Sequence, residues 1–418
     1  MSLLKGKVAT RAALVAGVAV AAGSATGVSL AATAHSKKTA HVASISLSQL
    51  NDKFTAMAQL KPIAAKGKGK IAAILPDTTS SDRWVEFDAP YIREAALKAG
   101  IPASDIIVQN AHGSDTTFYA DAQADIAKGA KVLLTTPEDS ATGTKVENYA
   151  KAHGVKVIDY DRLTLGGSRP YYVSFNNVTV GEKIGQGYVS CVANWDGHKM
   201  GKQDILVMHG AATDNNATLF YEGYNKVLAP LVKKGVYKAI LGMKGNNLNT
   251  TAGTWDPPTA LTEFEAEWSH YRSQMTGAVI PNDETGSPII SFLYKQGVKP
   301  YTFPTTGQDA TPPGLQAIVA GYQCGTVYKP VFLEAQAAVA LAVYLRAGMK
   351  PPASLVNGTT EDIVEHKPVP SALLSPIWVT QKNMKATVLA QKFVPKADIC
   401  KGTFNGVNLA KACAKEGI

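Results

Sequence analysis

At 418 residues, 45% of them hydrophobic, the chain exceeds one ordinary core and has the composition of a soluble globular protein with two domains. Its formal charge of +9 is concentrated at the start, where residues 1–70 hold ten Lys or Arg against Asp52 alone. The remainder carries 32 basic and 32 acidic residues, a balance that excludes the basic stripe a nucleic acid requires.

In chain order, Lys5, Lys7 and Arg11 precede an uncharged small-apolar run and then Ala32-Thr33-Ala34, which fits the A-x-A cleavage pattern. Residues 1–34 therefore read as an export signal peptide. The uncharged stretch 12–34 is also long enough to span a bilayer, so an uncleaved anchor is the alternative. Its Gly, Ser and Thr content makes a weak membrane helix and favours cleavage. Residues 35–69 are rich in Lys, Ser and Gly and end in KGKGK, a pattern expected of a linker with one helix at most.

From Lys70 the pattern alternates. Short buried strands are expected at 70–75, 106–109, 131–136 and 156–160, and Ile92, Ala95, Ala96 and Ala99 keep helical spacing between the first two. A second series begins after YYVSFNN at 171–177, with strands near 204–209, 237–243, 277–281 and 299–303. Such alternation predicts an α/β chain of two doubly wound parallel sheets. An alanine-rich segment after Lys329 reads as a buried helix, and SPIWVT at 375–380 is a last apolar run.

Six apolar runs end in polar breaks. These are Ser81-Asp82-Arg83-Trp84, Asp161-Arg162, Asp214-Asn215-Asn216, Asn282-Asp283, Gln308-Asp309 and Tyr328-Lys329. In open α/β sheets a ligand sits beyond the carboxyl ends of the strands, so two facing sheets would line one cleft with these residues. Dense donors and acceptors beside aromatic faces suit a neutral polyhydroxylated ligand. Each residue also has an ordinary reading: Asn216 as a turn or helix cap, Trp84 and Trp255 as core aromatics.

Cys400 and Cys413 lie close together in a polar tail, and export favours a disulfide between them. Cys191 and Cys324 stand alone in apolar segments, which favours buried thiols, with a bridge as the alternative. Neither the cysteines nor the eight His show metal-site spacing, and G-x-S-x-G, H-E-x-x-H and P-loop motifs are missing. Glu138 and Asp139 are adjacent and give no defined separation for glycoside hydrolysis. No enzyme activity, cofactor or metal is expected.

The pieces DRW at 82–84, YDR at 160–162, DNNA at 214–217, GQDA at 307–310 and VYKP at 327–330 occur in one order over some 250 residues. In this the chain, from about Lys70 to Asn383, resembles the periplasmic sugar-binding proteins of ABC importers, in the pentose and hexose group. The resemblance implies the type I periplasmic binding protein fold, with two doubly wound lobes joined by a three-crossing hinge. The N-terminal lobe would comprise 70–174 and 330–374, and the C-terminal lobe 175–329 and 375–418 with its Cys-containing tail. Carried over by position, Arg83, Trp84, Asp161 and Arg162 would bind ligand from the first lobe. Asn216, Trp255, Asn282 and Asp309 would reach from the second, and Lys329 from a hinge crossing. Trp255 stands in GMKGNNLNTTAGTWDPP, 242–258, a stretch that departs from the family pattern. The implied function is capture of a monosaccharide, D-xylose or a related aldose, by an exported monomer that delivers it to permease subunits at the periplasmic or outer cell surface. A sensor subunit for a membrane receptor, a sugar-responsive regulator and a carbohydrate-active enzyme are the competing readings. An export-like start in place of a helix-turn-helix argues against the regulator.

Overall fold

Short runs of branched and small apolar residues, stopped by Gly, Pro or polar turns, become the strands. The computed structural model describes residues 45–197, 199–243 and 255–418. The export signal, residues 35–44 of the expected linker and the stretch 244–254 lie outside the described residues. In chain order the strands are β1 Lys70–Leu75, β2 Ile106–Asn110, β3 Ala130–Thr135, β4 Lys156–Tyr160 and β5 Tyr171–Phe175. β6 Gln203–Val207, β7 Tyr237–Leu241, β8 Gly277–Val279, β9 Gly307–Gln308 and β10 Thr326–Tyr328 follow, then β11 Gly358–Asp362, β12 Lys367–Leu374 and β13 Ile377–Val379.

One sheet has the order β11-β12-β5-β4-β3-β1-β2, parallel except for the edge strand β11. The other consists of β7-β6-β8 and β13-β10-β9. Ala278 N–H donates to Pro304 O at 3.0 Å and joins these two pieces into one surface. Only β13 runs antiparallel there. The chain passes between the lobes three times, after Phe175, after Tyr328 and after Leu374, so the expected fold of two doubly wound lobes and a three-crossing hinge is present. Among the described residues no helix is long and apolar enough to cross a membrane.

Helix Val331–Arg346 is buried nearly throughout because it lies between the first sheet and the segment before β1. That segment corrects the linker expectation for 45–69. Ile45, Leu50, Phe54, Met57, Leu60 and Ile63 are buried in the same core, in short 3₁₀ turns and one helical turn. Gln336 donates to Asn51 O at 2.8 Å, and Arg346 donates to Ala64 O at 2.9 Å and Gly69 O at 2.6 Å. Helical spacing holds only over Leu50, Phe54 and Met57, too short a run to show that the whole segment belongs to the core.

Two further expectations change. Residues 299–303 form a turn rather than a strand, with Tyr301 at φ 63° between Pro300 and Pro304, and the pairing moves to β9. Cys191, near the end of helix Asn177–Ala193, is joined to Cys324 across a sequence separation of 133 residues, not left as a thiol. Folding brings their Cα atoms to 5.7 Å, within bridging range. Cys400 and Cys413 are also joined. Just before the tail they brace, Phe393 stacks on Phe87 of the first lobe at 4.1 Å and meets Tyr328 of the hinge at a tilt, 4.8 Å away.

If residues 45–69 are part of the core, Leu60→Ala should cost about 2–5 kcal/mol, the range for a buried Leu. Urea unfolding should show the loss; a change under 0.5 kcal/mol would return the segment to linker status.

Candidate functional site

The helix that follows β1 opens with a π-helical turn, Trp84–Asp88, before continuing as Ala89–Lys98. The widened turn places Asp88 under Arg83, five residues earlier, with Nε–Oδ2 2.8 Å and Nη2–Oδ1 2.7 Å. The same guanidinium donates to Asp161 Oδ2 and to Glu334 Oε2, each at 2.7 Å, and Tyr160 donates its hydroxyl to Asp88. Arg83 is 1% exposed, so its charge is tolerated only because carboxylates surround it. Burial alone would lower its pKa, but Asp161, Asp88 and Glu334 hold it well above the usual value.

Two carboxylates stand at equivalent strand ends. Asp161 follows β4 with φ 62° and donates its N–H to Val173 O, while Asp309 follows β9 with φ 92° and donates to Val327 O. Left-handed backbone at non-glycine residues costs roughly 1–3 kcal/mol each, and it lets the chain leave the sheet with the carboxylate turned inward. Lys329, just past β10 at the hinge, lies 3.6 Å from Asp161 and 3.2 Å from Asp309. The ammonium of this buried lysine would be disfavoured by desolvation, yet the two aspartates raise its pKa. Desolvation would likewise raise the Asp161 carboxyl, but Arg83, Lys329 and Arg162 pull it down to about 2.

The remaining groups come from both lobes. Arg162 donates to Glu138 at 2.9 Å and pairs with Asp214 of the second lobe at 3.4 Å. Burial pushes Glu138 up to about 7 despite that partner. Asp214 caps helix Asn215–Lys233 through Asn216 N–H, which frees the Asn216 amide to donate to Asp161 O at 3.0 Å. Asn282 caps helix Asp283–Lys295 with its oxygen and donates across the cleft to Ser80 O at 2.9 Å. Ser81 donates to Asp309 Oδ2 at 3.0 Å. Trp84 lies under Arg83 at 4.5 Å, and Trp255 donates to Asp214 at 3.0 Å. The Trp255 ring rests on Gly210, where a Cβ would come within 2.2 Å of it, so only glycine fits.

All nine residues singled out in the sequence thus line one cavity between the lobes, together with Ser80, Ser81, Asp214, Phe220 and Gln308. Ser81, Asp214 and Gln308 lay in the polar breaks themselves; Phe220 had only its place one helical turn after Asn216 as a signal. The cavity encloses about 300 Å³ of space free of protein atoms, narrow enough that the charged groups reach one another across it. The lining contains three cations, Arg83, Arg162 and Lys329, and three anions, Asp161, Asp214 and Asp309. Such a site suits a neutral ligand rich in donors and acceptors, because a net charge on the ligand would have no counter-charge to meet.

The family model described as periplasmic binding protein domain matches residues 71–350. The chain is 32% identical over 342 residues to the D-xylose-binding periplasmic protein of Escherichia coli, spanning 81% of this chain and 96% of that one. It is also 32% identical to a multiple sugar-binding periplasmic protein of Azospirillum brasilense, over 80% of this chain and 92% of that one. A carbohydrate transporter solute-binding protein from Chloroflexus aurantiacus, solved in complex with D-glucose, superposes with a TM-score of 0.69 at 28% identity, covering 78% of this chain and 97% of that one.

The depressed Asp161 pKa has a stability consequence. A carboxyl whose folded value lies below its unfolded 3.8 contributes above that pH and loses its contribution as pH falls toward 2, here on the order of 2 kcal/mol. The urea midpoint should drop between pH 4 and pH 2, and Asp161→Asn should start less stable and fall less steeply. Parallel curves would mean that Asp161 titrates normally.

Proposed function

The chain belongs to the periplasmic binding protein domain family, and on that premise we propose that it captures a monosaccharide, D-xylose, D-glucose or a related aldopyranose, between its lobes. The single observation that carries this reading is the charge-balanced cavity: three cations and three anions pair with one another in a lining that also holds Trp84 and Trp255. A sugar hydroxyl both donates and accepts, so it can replace these pairings one by one without introducing charge. The indole faces cover the C–H surface of a pyranose ring.

The proteins of this family bind their ligands without transforming them, and the same holds for this chain. Arg83, Asp161 and Arg162 hold hydroxyls from the first lobe, and Asn216, Asn282 and Asp309 from the second. Lys329 serves as the fixed point, since it lies on a hinge crossing. Each lobe alone offers about half of the hydrogen bonds, so ligand favours the closed form over the open one. A permease that engages the closed pair of lobes receives loaded protein. Export, by the signal at 1–34, and action as a monomer complete the proposal, with residues 70–174 and 330–374 as one lobe and 175–329 and 375–418 as the other.

A thermal-shift screen of residues 35–418 against pentoses, hexoses, disaccharides and amino acids tests the class of ligand. A monosaccharide at 100 times its dissociation constant should stabilise by about 2.7 kcal/mol; a shift with amino acids alone would overturn the proposal.

Calorimetric titration tests the site. Arg162→Ala and Asp309→Ala should each weaken binding more than tenfold, since each leaves buried groups unpaired at about 1–3 kcal/mol apiece. Trp255→Ala should lower affinity and remove part of the fluorescence change. Wild-type affinity in all three, with intact circular dichroism, would move the site elsewhere.

A further inference from the structure

Gln308 has no place in the ligand set proposed above. It is 3% exposed and lines the cavity, yet among the described residues its carboxamide makes no hydrogen bond, and the buried Oε1 is without a partner. A buried, unpaired amide opposes folding, and native proteins contain few of them. Leucine, of nearly the same size, would carry no such cost.

The backbone around Gln308 is fixed. It pairs with Val327 in the β9–β10 ladder, and the next residue, Asp309, is pinned at φ 92° by its N–H bond to Val327 O. Asp309 Oδ2 accepts from Ser81, while Oδ1 faces Lys329 at 3.2 Å without a well-directed hydrogen bond. The wall at the end of β9 therefore presents two adjacent acceptors whose hydrogen-bonding capacity the protein does not use. By contrast, Arg83, Asn216 and Asn282 of the same lining are engaged by protein groups.

We infer that Gln308 is a specificity-determining residue that reads one ring hydroxyl of the ligand, so that β9 selects aldopyranoses by the presence of a hydroxyl at that position. This rests on the monosaccharide reading of the site. A hydroxyl can fill both roles of the amide, giving a proton to Oε1 or taking one from Nε2, and a hydrogen atom or a methyl ether at the same carbon can fill at most one. A site built to bond a hydroxyl rejects the analogue that lacks it, because the protein group is then left buried and unpaired.

The test is calorimetry with the best-binding monosaccharide and its monodeoxy analogues, on the wild type and on Gln308→Leu, with unliganded melting curves for both. In the wild type, loss of one particular hydroxyl should weaken binding at least tenfold. Gln308→Leu should bind the parent sugar at least tenfold more weakly, should no longer distinguish that deoxy analogue from the parent, and should melt at the same temperature or higher without ligand. Wild-type affinity in Gln308→Leu, or an unchanged deoxy profile, would overturn the inference, as would a lower unliganded melting temperature with binding intact, which would make the amide structural. Gln308→Ala provides the same comparison should the leucine variant not fold. Absence of any monosaccharide binding in the wild type would instead overturn the functional reading itself.

Discussion

A continuous line of alternating charge runs through the molecule, from Glu334 and Asp88 to Arg83, Asp161, Lys329 and Asp309. Each member is buried and tolerable only beside its neighbours, so the position of each is set by the others. Burial pushes Asp88 and Glu334 upward and Arg83 draws them back, whereas Asp161, flanked by cations, is held low. The six residues come from both lobes and from the hinge between them. The line therefore ties the relative position of the lobes to the protonation and pairing of the cleft.

Strand ends make this line possible. β4 and β9 occupy corresponding places in the two sheets, and each ends in an aspartate at positive φ whose N–H still completes the neighbouring ladder. The last rung of each sheet thus fixes a carboxylate that lines the cavity. Lys329 lies between the two because β10, beside β9, leads directly into the crossing. Asp214 and Asn282 cap the helices that start beyond β6 and β8, so the polar residues that close helix ends also carry the cavity's donors and acceptors.

Much of this was legible in the sequence, for a specific reason. A polar break after a buried strand is a local pattern, and in a doubly wound sheet all such breaks fall on one side, so Arg83, Asp161, Asn216 and Asp309 could be brought together without a coordinate. Trp255 was found through its motif, although the stretch before it differs from the family. What escaped depends on long-range packing. Ile45 to Ile63 show only a short stretch of helical spacing and are ordered by helix Val331–Arg346, nearly 300 residues later. Pro368 and Pro370 hid β12, whose prolines fall where it pairs only with β11. The bridge between Cys191 and Cys324 has no sequence signature, because the fold alone makes them neighbours.

That the N-terminal lobe is completed by helix Val331–Arg346 and strand β12 bears on how the chain is made. Asn51 and Gln336 are 285 residues apart, and Ala64 and Arg346 are 282 apart, so the first core to be synthesised is among the last to close. Contacts of such high order pay a large loop-closure entropy before any burial repays it, and they fold slowly. The N-terminal lobe of a nascent chain therefore cannot close until helix Val331–Arg346 and β12 have emerged, whereas β6 to β10 of the other lobe lie in one contiguous stretch. The order of synthesis and the order of closure thus run opposite to each other in this lobe, and the topology itself supplies the delay.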